Sequence, residues 1–285
     1  MIRAVVLDVD GVVVGSEKGN NFPHPGLEVS AALKKIHASG IHVAFLTGKS
    51  SHTLTKMVKQ LGIDGLHVGD SGAMVCDPVN GTVAYASYVP YKPLMNLLAA
   101  LEEHHIQTFI FTEKTYYALE KYKSAFTEIY SRVIDLEPHF VESYEDVHEQ
   151  NILKVNIIAH SEQDKKTVAE IMARLKPSEI EASPWSQHPA MAGKGFSMVT
   201  EKGVSKYSGL KHLVEHLHVD FSEVLGVGDT IHDWEFIEHC GYKGIMANAT
   251  EELKGKADFN DPHTFLGGHV DEDGVLNIFS HFNLI

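Results

Sequence analysis

Cysteine is scarce: the 285 residues carry 2, Cys76 and Cys240. Two thiols cannot build a disulfide framework, and these lack metal-site spacing, so a reducing compartment is expected. Long apolar runs are missing as well. No stretch approaches the roughly 20 residues of a membrane span. The N-terminal apolar run meets Asp8 too early for a secretion signal, and no cleavage site follows it. Basic charge is also in deficit. Lys and Arg total 24 against 38 Asp and Glu, a formal net charge of -14. Nucleic acid and anionic membranes both need a basic footprint, so neither is an expected partner. A small phosphorylated molecule stays open, because local cations and backbone N–H groups decide that binding. The expectation is a cytoplasmic protein, monomer or homodimer.

What is present is an ordinary globular composition, 44% hydrophobic and 22% charged. The length suits a core domain with one sizeable insert. Ala4 to Leu7 is a continuous branched apolar run closed by Asp8-Val9-Asp10-Gly11, as in a parallel strand covered on both faces. A helix carrying Val29, Leu33 and Ile36 follows and stops at Gly40. Ile41 to Leu46 reads as the next strand and ends at Thr47-Gly48-Lys49-Ser50. A second helix, with Leu54, Met57, Val58 and Leu61, stops at Gly62 before the short strand Leu66 to Val68. This alternation predicts an α/β fold: a Rossmann-like parallel sheet with helices on both faces.

After Gly72 the pattern changes. Ala73 to Tyr88 predicts a hairpin turning at Asn80-Gly81. Helix 92–104, strand 108–111, strand 153–159 and helix 163–175 predict an inserted α+β cap domain over residues 87–189. The core domain then comprises 1–86 and 190–285. In its second part Ser205 caps a helix with Leu210, Leu213, Val214 and Leu217 on one face. Val224 to Val227 is a buried strand ending at Gly228-Asp229, and Asp273 to Phe282 reads as a closing helix.

The chemistry gathers at strand ends: Asp8 and Asp10, Thr47, and Asp229. Ligands of open α/β sheets sit at the carboxyl ends of strands, and carboxylates so near a buried sheet are costly without compensation. With no His or Cys at ligand spacing, oxygen ligands point to magnesium rather than zinc. Each residue also has a plainer reading. Asp8 and Asp10 fit a solvated strand-end turn, Thr47 the start of a helix, and Asp229 a helix cap. Lys206 has competitors in Lys202 and Lys211. Other patterns fail: Gly48-Lys49-Ser50 would need a glycine at position 43 to end a P-loop, and Val43 stands there. Ser208 and Lys211 have no partner motif for acyl transfer. His212 and His216 lie one turn apart but have no third ligand.

Taken in order, these residues resemble the haloacid dehalogenase superfamily. Asp8-Val9-Asp10-Gly11 looks like its first motif and Thr47-Gly48-Lys49 its second. Lys206 in Gly203-Val204-Ser205-Lys206 matches the third, and Gly228-Asp229-Thr230-Ile231-His232-Asp233 the fourth. Met246-Ala247-Asn248-Ala249, Ala257-Asp258 and Glu272-Asp273-Gly274-Val275 are similar to the Cof-like branch, which carries its cap between the second and third motifs. His232 stands where that branch usually has asparagine.

The resemblance implies a magnesium-dependent phosphatase acting on a small phosphorylated metabolite, a sugar phosphate by analogy. Asp8 would be the nucleophile forming a phospho-aspartate and Asp10 the acid and base. Thr47, Gly48 and Lys206 would hold the phosphoryl group. Asp8, Asp10 through its main-chain carbonyl and Asp229 would bind Mg2+, and Asp233 would ligate it through water or orient its shell. Asn20, Asn21 and His188 are expected near the substrate, with cap loops 112–117 and 183–188 choosing the leaving group. The rivals are a phosphomutase of the same superfamily and a non-catalytic binding module.

Overall fold

The structure, a computed structural model, describes residues 1–17, 19–147, 151–187 and 193–285. The chain begins with β1 (Ala4–Leu7), α1 (Leu27–Ala38), β2 (His42–Phe45), α2 (Ser51–Leu61), β3 (His67–Gly69), β4 (Met74–Asp77) and β5 (Thr82–Ala86). It continues through α3 (Tyr91–Glu103), β6 (Gln107–Thr112), β7 (Tyr116–Leu119), α4 (Ala125–Ile134) and β8 (His139–Val141). Then come β9 (Ile152–Ala159), α5 (Glu162–Leu175), β10 (Ile180–Ala182), β11 (Ser186–Gln187) and β12 (Gly195–Glu201). The last part is α6 (Lys206–Leu217), β13 (Val224–Gly228), α7 (Ile231–Ile237), β14 (Tyr242–Ile245), α8 (Glu251–Lys254), β15 (Thr264–Leu266) and α9 (Val275–His281). Two compact units result: Met1–Tyr85 with Ser205–Ile285, and Ala86–Val204.

The first unit is built on a parallel sheet ordered β15-β14-β13-β1-β2. Leu46, just past β2, bridges Val68, so β3 adjoins it. The two-residue strand period splits β1 between two cores. Val5 and Leu7 pack with Leu33 of α1, Val58 of α2 and Phe279 of α9. Ala4 and Val6 pack with Leu213 of α6, Phe236 of α7 and Leu253 of α8. Helices on both faces explain why the strands are apolar without alternation. Local signals end the helices where expected. Ser50 accepts the Thr53 N–H at the start of α2, and Gly62 closes that helix at φ 60°. Ser205 and Ser208 form a capping box on α6. Strand order runs outward from β1 through β2 on one side and through β13 on the other. The reversal between β1 and β13 opens a crevice at their carboxyl ends, and Asp8 and Asp229 are the residues leaving those ends.

The second unit carries a mainly antiparallel sheet ordered β10-β12-β9-β6-β7-β8, with β11 paired to β12. Ile110 and Val155 face one core with Leu98 of α3 and Ile171 of α5. Phe109 and Phe111 face the other with Phe126 and Tyr130 of α4.

Two boundaries differ from expectation. The inserted unit runs on to Val204 rather than closing at residue 189, because β12 is a ladder partner of both β9 and β10. An alternating strand states which faces its side chains take, not which distant strand will accept it. The hairpin between β4 and β5 also turns more widely than a two-residue Asn80-Gly81 turn. Asp77 accepts the N–H groups of Val79 at 2.8 Å and Asn80 at 3.2 Å, and its carbonyl takes that of Gly81 at 2.9 Å. Among the described residues no helix is long and apolar enough to cross a membrane.

Candidate active site

The first acidic loop is set by the sheet. The Asp8 N–H continues the β1–β13 ladder to the Val227 carbonyl at 3.0 Å, and Val13 and Val14 fold back onto the Val9 carbonyl. Gly11 makes the turn at φ 81°. The Leu46 N–H meets the Leu7 carbonyl at 2.8 Å, so Thr47 leaves its strand beside Asp8.

Lys206 is the first residue of α6, and of the three candidate lysines it is the one that reaches the crevice. Its Nζ lies 2.9 Å from Asp8 Oδ1 and 2.5 Å from Asp233 Oδ1. The other oxygen of Asp233 accepts the N–H groups of Asp229 at 3.0 Å and Thr230 at 2.8 Å, and the Thr230 hydroxyl at 3.0 Å. Asp233 is fully buried. Both its oxygens serve protein donors, so it caps α7 and anchors Lys206 while remaining part of the acidic cluster. Asp229 does not take the helix-cap alternative, which Thr230 fills. Its Oδ1 is buried with no hydrogen-bond partner among the described residues.

The electrostatics follow from burial. Desolvation pushes Asp8 up to about 7 against the pull of Lys206, with Asp233 and Asp10 adding to the rise. Asp229 is pushed up to about 8, first by burial and then by the charges of Asp8 and Asp233. Asp233 goes the other way. Burial would raise it, yet Lys206 and the N–H donors hold it below the ordinary carboxylate range. Burial would lower Lys206, but Asp233 and Asp8 outweigh that and keep it firmly protonated.

This cluster fits a divalent cation. Asp8, Asp229 and Asp233 offer oxygens within 4.8 Å of one another. An orphaned buried oxygen and two carboxyls driven toward neutrality describe a place short of positive charge. Gly11 closes one wall, since a Cβ there would sit 2.0 Å from Asp229 Oδ2. Gly11→Ala is therefore expected to displace Asp229 and weaken divalent-cation binding at least about tenfold. Calorimetric titration with Mg2+ checks this, and unchanged affinity in a folded variant would contradict it.

The second loop is built by contacts that local sequence reasoning missed. Asp70, Ser71 and Gly72 follow β3 at φ 52°, 57° and 105°. The Ser71 N–H binds the Thr47 carbonyl at 3.0 Å and that of Asp70 the Lys49 carbonyl at 2.8 Å. Asp70 Oδ2 accepts from the Ser51 N–H at 3.1 Å. Gly72 presses on α6, where a Cβ would meet the Ser205 carbonyl oxygen at 2.0 Å. This turn thus braces both the loop bearing Thr47 and Gly48 and the helix bearing Lys206. Its signal was the turn-forming triplet Asp-Ser-Gly. Lys49, the last residue of the second motif, pairs with Asp10 at 2.9 Å.

The remaining expected residues fare differently. Asn21 is buried, and its side chain is engaged at both ends: Oδ1 accepts the Glu17 N–H at 3.1 Å, while Nδ2 reaches the Val270 carbonyl at 3.2 Å and Asp271 at 2.9 Å. It staples a loop instead of facing substrate. Asn20 is exposed and donates to Glu17. His188 lies outside the described residues.

Comparison with known proteins supplies the family. A family model for haloacid dehalogenase-like hydrolases matches residues 5–279. The chain is 24% identical over 259 residues to a phosphoglycolate phosphatase of Staphylothermus marinus, covering 90% of each chain. It shares its fold with a haloacid dehalogenase-like hydrolase from Bacteroides thetaiotaomicron, at TM-score 0.84 and 18% identity over 99% of this chain and 100% of that one. A subclass IIB sugar phosphatase of the same superfamily aligns at TM-score 0.78 and 20% identity, over 99% and 100% of the two chains. The family match spans the acid-bearing loops, the inserted unit and α6 alike, and the chain belongs to the haloacid dehalogenase-like hydrolases.

Proposed function

We propose that the protein is a magnesium-dependent phosphatase that hydrolyses a small phosphorylated metabolite through a phospho-aspartate on Asp8. The observation that carries this reading is the Lys206 ammonium held between Asp8 and Asp233, beside an Asp229 oxygen that no donor among the described residues satisfies. A binding module has no need of a buried nucleophile, a fixed cation and an acidic partner together. Asp8 and Asp229, with the Asp10 carbonyl as the family resemblance implies, would hold the ion, and Asp233, whose oxygen lies within 4.8 Å of theirs, would reach it through water or orient its shell. A bound magnesium ion would supply charge neutralisation for the carboxylates and the phosphoryl oxygens.

Asp8 attacks phosphorus in line with the ester oxygen. The P–O ester bond breaks as Asp10 passes its proton to the leaving alkoxide. Lys206 and the Thr47–Gly48 loop hold the equatorial oxygens, which suits a loose transition state governed by positioning and charge. In the second half, water attacks the phospho-aspartate, Asp10 takes its proton, and the Asp8–phosphorus bond breaks to release inorganic phosphate. A sugar phosphate is the favoured substrate class, in keeping with the sugar phosphatase among the structural relatives.

Phosphate release across a panel of sugar phosphates and other small phosphate esters, with and without Mg2+, tests the reading. Release is expected with Mg2+ only. Phosphoryl return to substrate without free phosphate would indicate a mutase instead. Because Asp8 and Asp229 must shed protons to bind a cation, Mg2+ affinity should rise between about pH 6 and pH 9. A flat affinity over that range would count against these ligands.

A further inference from the structure

We propose that Asn248 is a positioning residue that holds the Asp8–Gly11 loop in its metal-binding geometry by fixing the Gly11 carbonyl. The inference rests on the function proposed above and gives a role to a segment that the mechanism leaves unused. Residues 246–250 cross from one acid-bearing loop to the other. The Met246 N–H meets the Gly228 carbonyl at 3.2 Å, and the Thr250 N–H meets the Asp229 carbonyl at 2.9 Å. These bonds dock the segment on the loop after β13.

Asn248 reaches the other loop. Its Nδ2 donates to the Gly11 carbonyl at 2.9 Å, and its Oδ1 accepts the Val270 N–H at 2.9 Å. The chain of bonds then closes on itself. The Val270 carbonyl takes Asn21 Nδ2, and the Asn21 carbonyl takes the Gly15 N–H at 3.0 Å. Asp271 adds bonds to the Ser16 N–H at 3.0 Å and to its hydroxyl at 3.1 Å. The backbone following Asp10 is thereby held at Gly11 and again at Gly15.

Gly11 matters because its Cα faces Asp229 at a separation that admits no Cβ. A shift of a few tenths of an ångström at Gly11 therefore moves the wall against which the Asp229 carboxylate rests. Only a side chain with a donor at one tip and an acceptor at the other satisfies both Gly11 and Val270. Asp keeps the acceptor for Val270 but presents oxygen to the Gly11 carbonyl. Ala removes both bonds.

The test uses the full chain as wild type, Asn248→Ala and Asn248→Asp. Mg2+ affinity is measured by calorimetry, phosphate release with the best ester of the panel, and folding by thermal unfolding without metal. Supporting a metal ligand from outside its shell is commonly worth about 10–100-fold in affinity or activity. Asn248→Ala should bind Mg2+ about tenfold more weakly, and kcat of both variants should fall about tenfold, with KM moving less than about twofold. A residue that only stabilises the fold would lower the melting temperature and leave Mg2+ affinity and kcat of the folded protein unchanged; that result overturns the inference. If Asn248→Ala does not fold, the near-isosteric Asn248→Asp decides by its kcat. Wild type that neither binds Mg2+ nor releases phosphate would overturn the proposed function and this inference with it. Wild type that does both no better than its variants overturns the inference alone.

Discussion

Asp8→Asn is expected to abolish phosphate release, with kcat falling by on the order of 10⁴-fold or more, as when an enzyme loses its only nucleophile. An amide is isosteric with the carboxylate but cannot form an acyl phosphate by the same attack. Its oxygen can still accept the Lys206 hydrogen bond that Asp8 accepts at 2.9 Å. The fold should survive for a further reason: burial already opposes ionisation at this position, pushing the carboxyl up to about 7. Removing the charge relieves that cost, so metal-free thermal unfolding should stay cooperative and not move downward. The decisive measurement is single-turnover phosphate release in excess Mg2+ beside a melting curve. A folded Asp8→Asn protein retaining more than about a hundredth of the wild-type rate would end the phospho-aspartate mechanism.

How much of this was legible in the sequence depends on how local the cause is. The β1 run followed by Asp8 was legible because a strand buried on both faces leaves no other reason for polar residues than its end. Gly62 and Ser205 announced helix boundaries because caps are chosen by backbone geometry within one turn. Asp229 and Asp233 could be named as a pair, with Asp229 the direct ligand and Asp233 acting through water or on the shell, but the contacts of each could not be read. That one carries an orphaned oxygen while the other is saturated by Lys206 and α7 depends on three segments meeting in space. The same distance effect hid β12, whose ladder with β9 closes across the intervening α5, and α4, whose Phe126 and Tyr130 read as helical only against the sheet they cover. Asp70 and Ser71 were half legible. The triplet Asp-Ser-Gly signals a turn but not that two non-glycine residues take positive φ in it, and their strain of about 1–2 kcal/mol each persists only where surrounding contacts over-determine it. Asn21 shows the converse error: a polar residue near a motif looked available, whereas a buried amide is kept by the backbone groups it satisfies.

Lys206→Met should reveal what the ammonium does for the fold as well as for the phosphoryl group. Lys206 and its two partners are nearly excluded from water, with side-chain exposures of 12% for the lysine, 11% for Asp8 and 0% for Asp233. Breaking a buried pair from one side leaves an uncompensated charge, typically at a cost of about 3–5 kcal/mol. The sign of its pH dependence follows from Asp233. In the wild type this carboxyl sits below its ordinary 3.8, so its contribution is present above that pH and is lost as acid protonates it. Without Lys206, burial becomes the dominant influence and lifts Asp233 above 3.8, so stability is retained in acid and lost as pH rises through the new value. Both movements make the deficit of the variant grow with pH. Urea denaturation of metal-free protein from about pH 5 to pH 8.5 should show the gap widening across the range. Adding Asp233→Asn to Lys206→Met should recover part of the lost stability at high pH and none of the catalysis, because it removes the stranded charge without restoring the phosphoryl contact. A deficit constant with pH, or a double variant weaker than the single one at pH 8.5, would mean that the burial of this triad is not what sets its energetics.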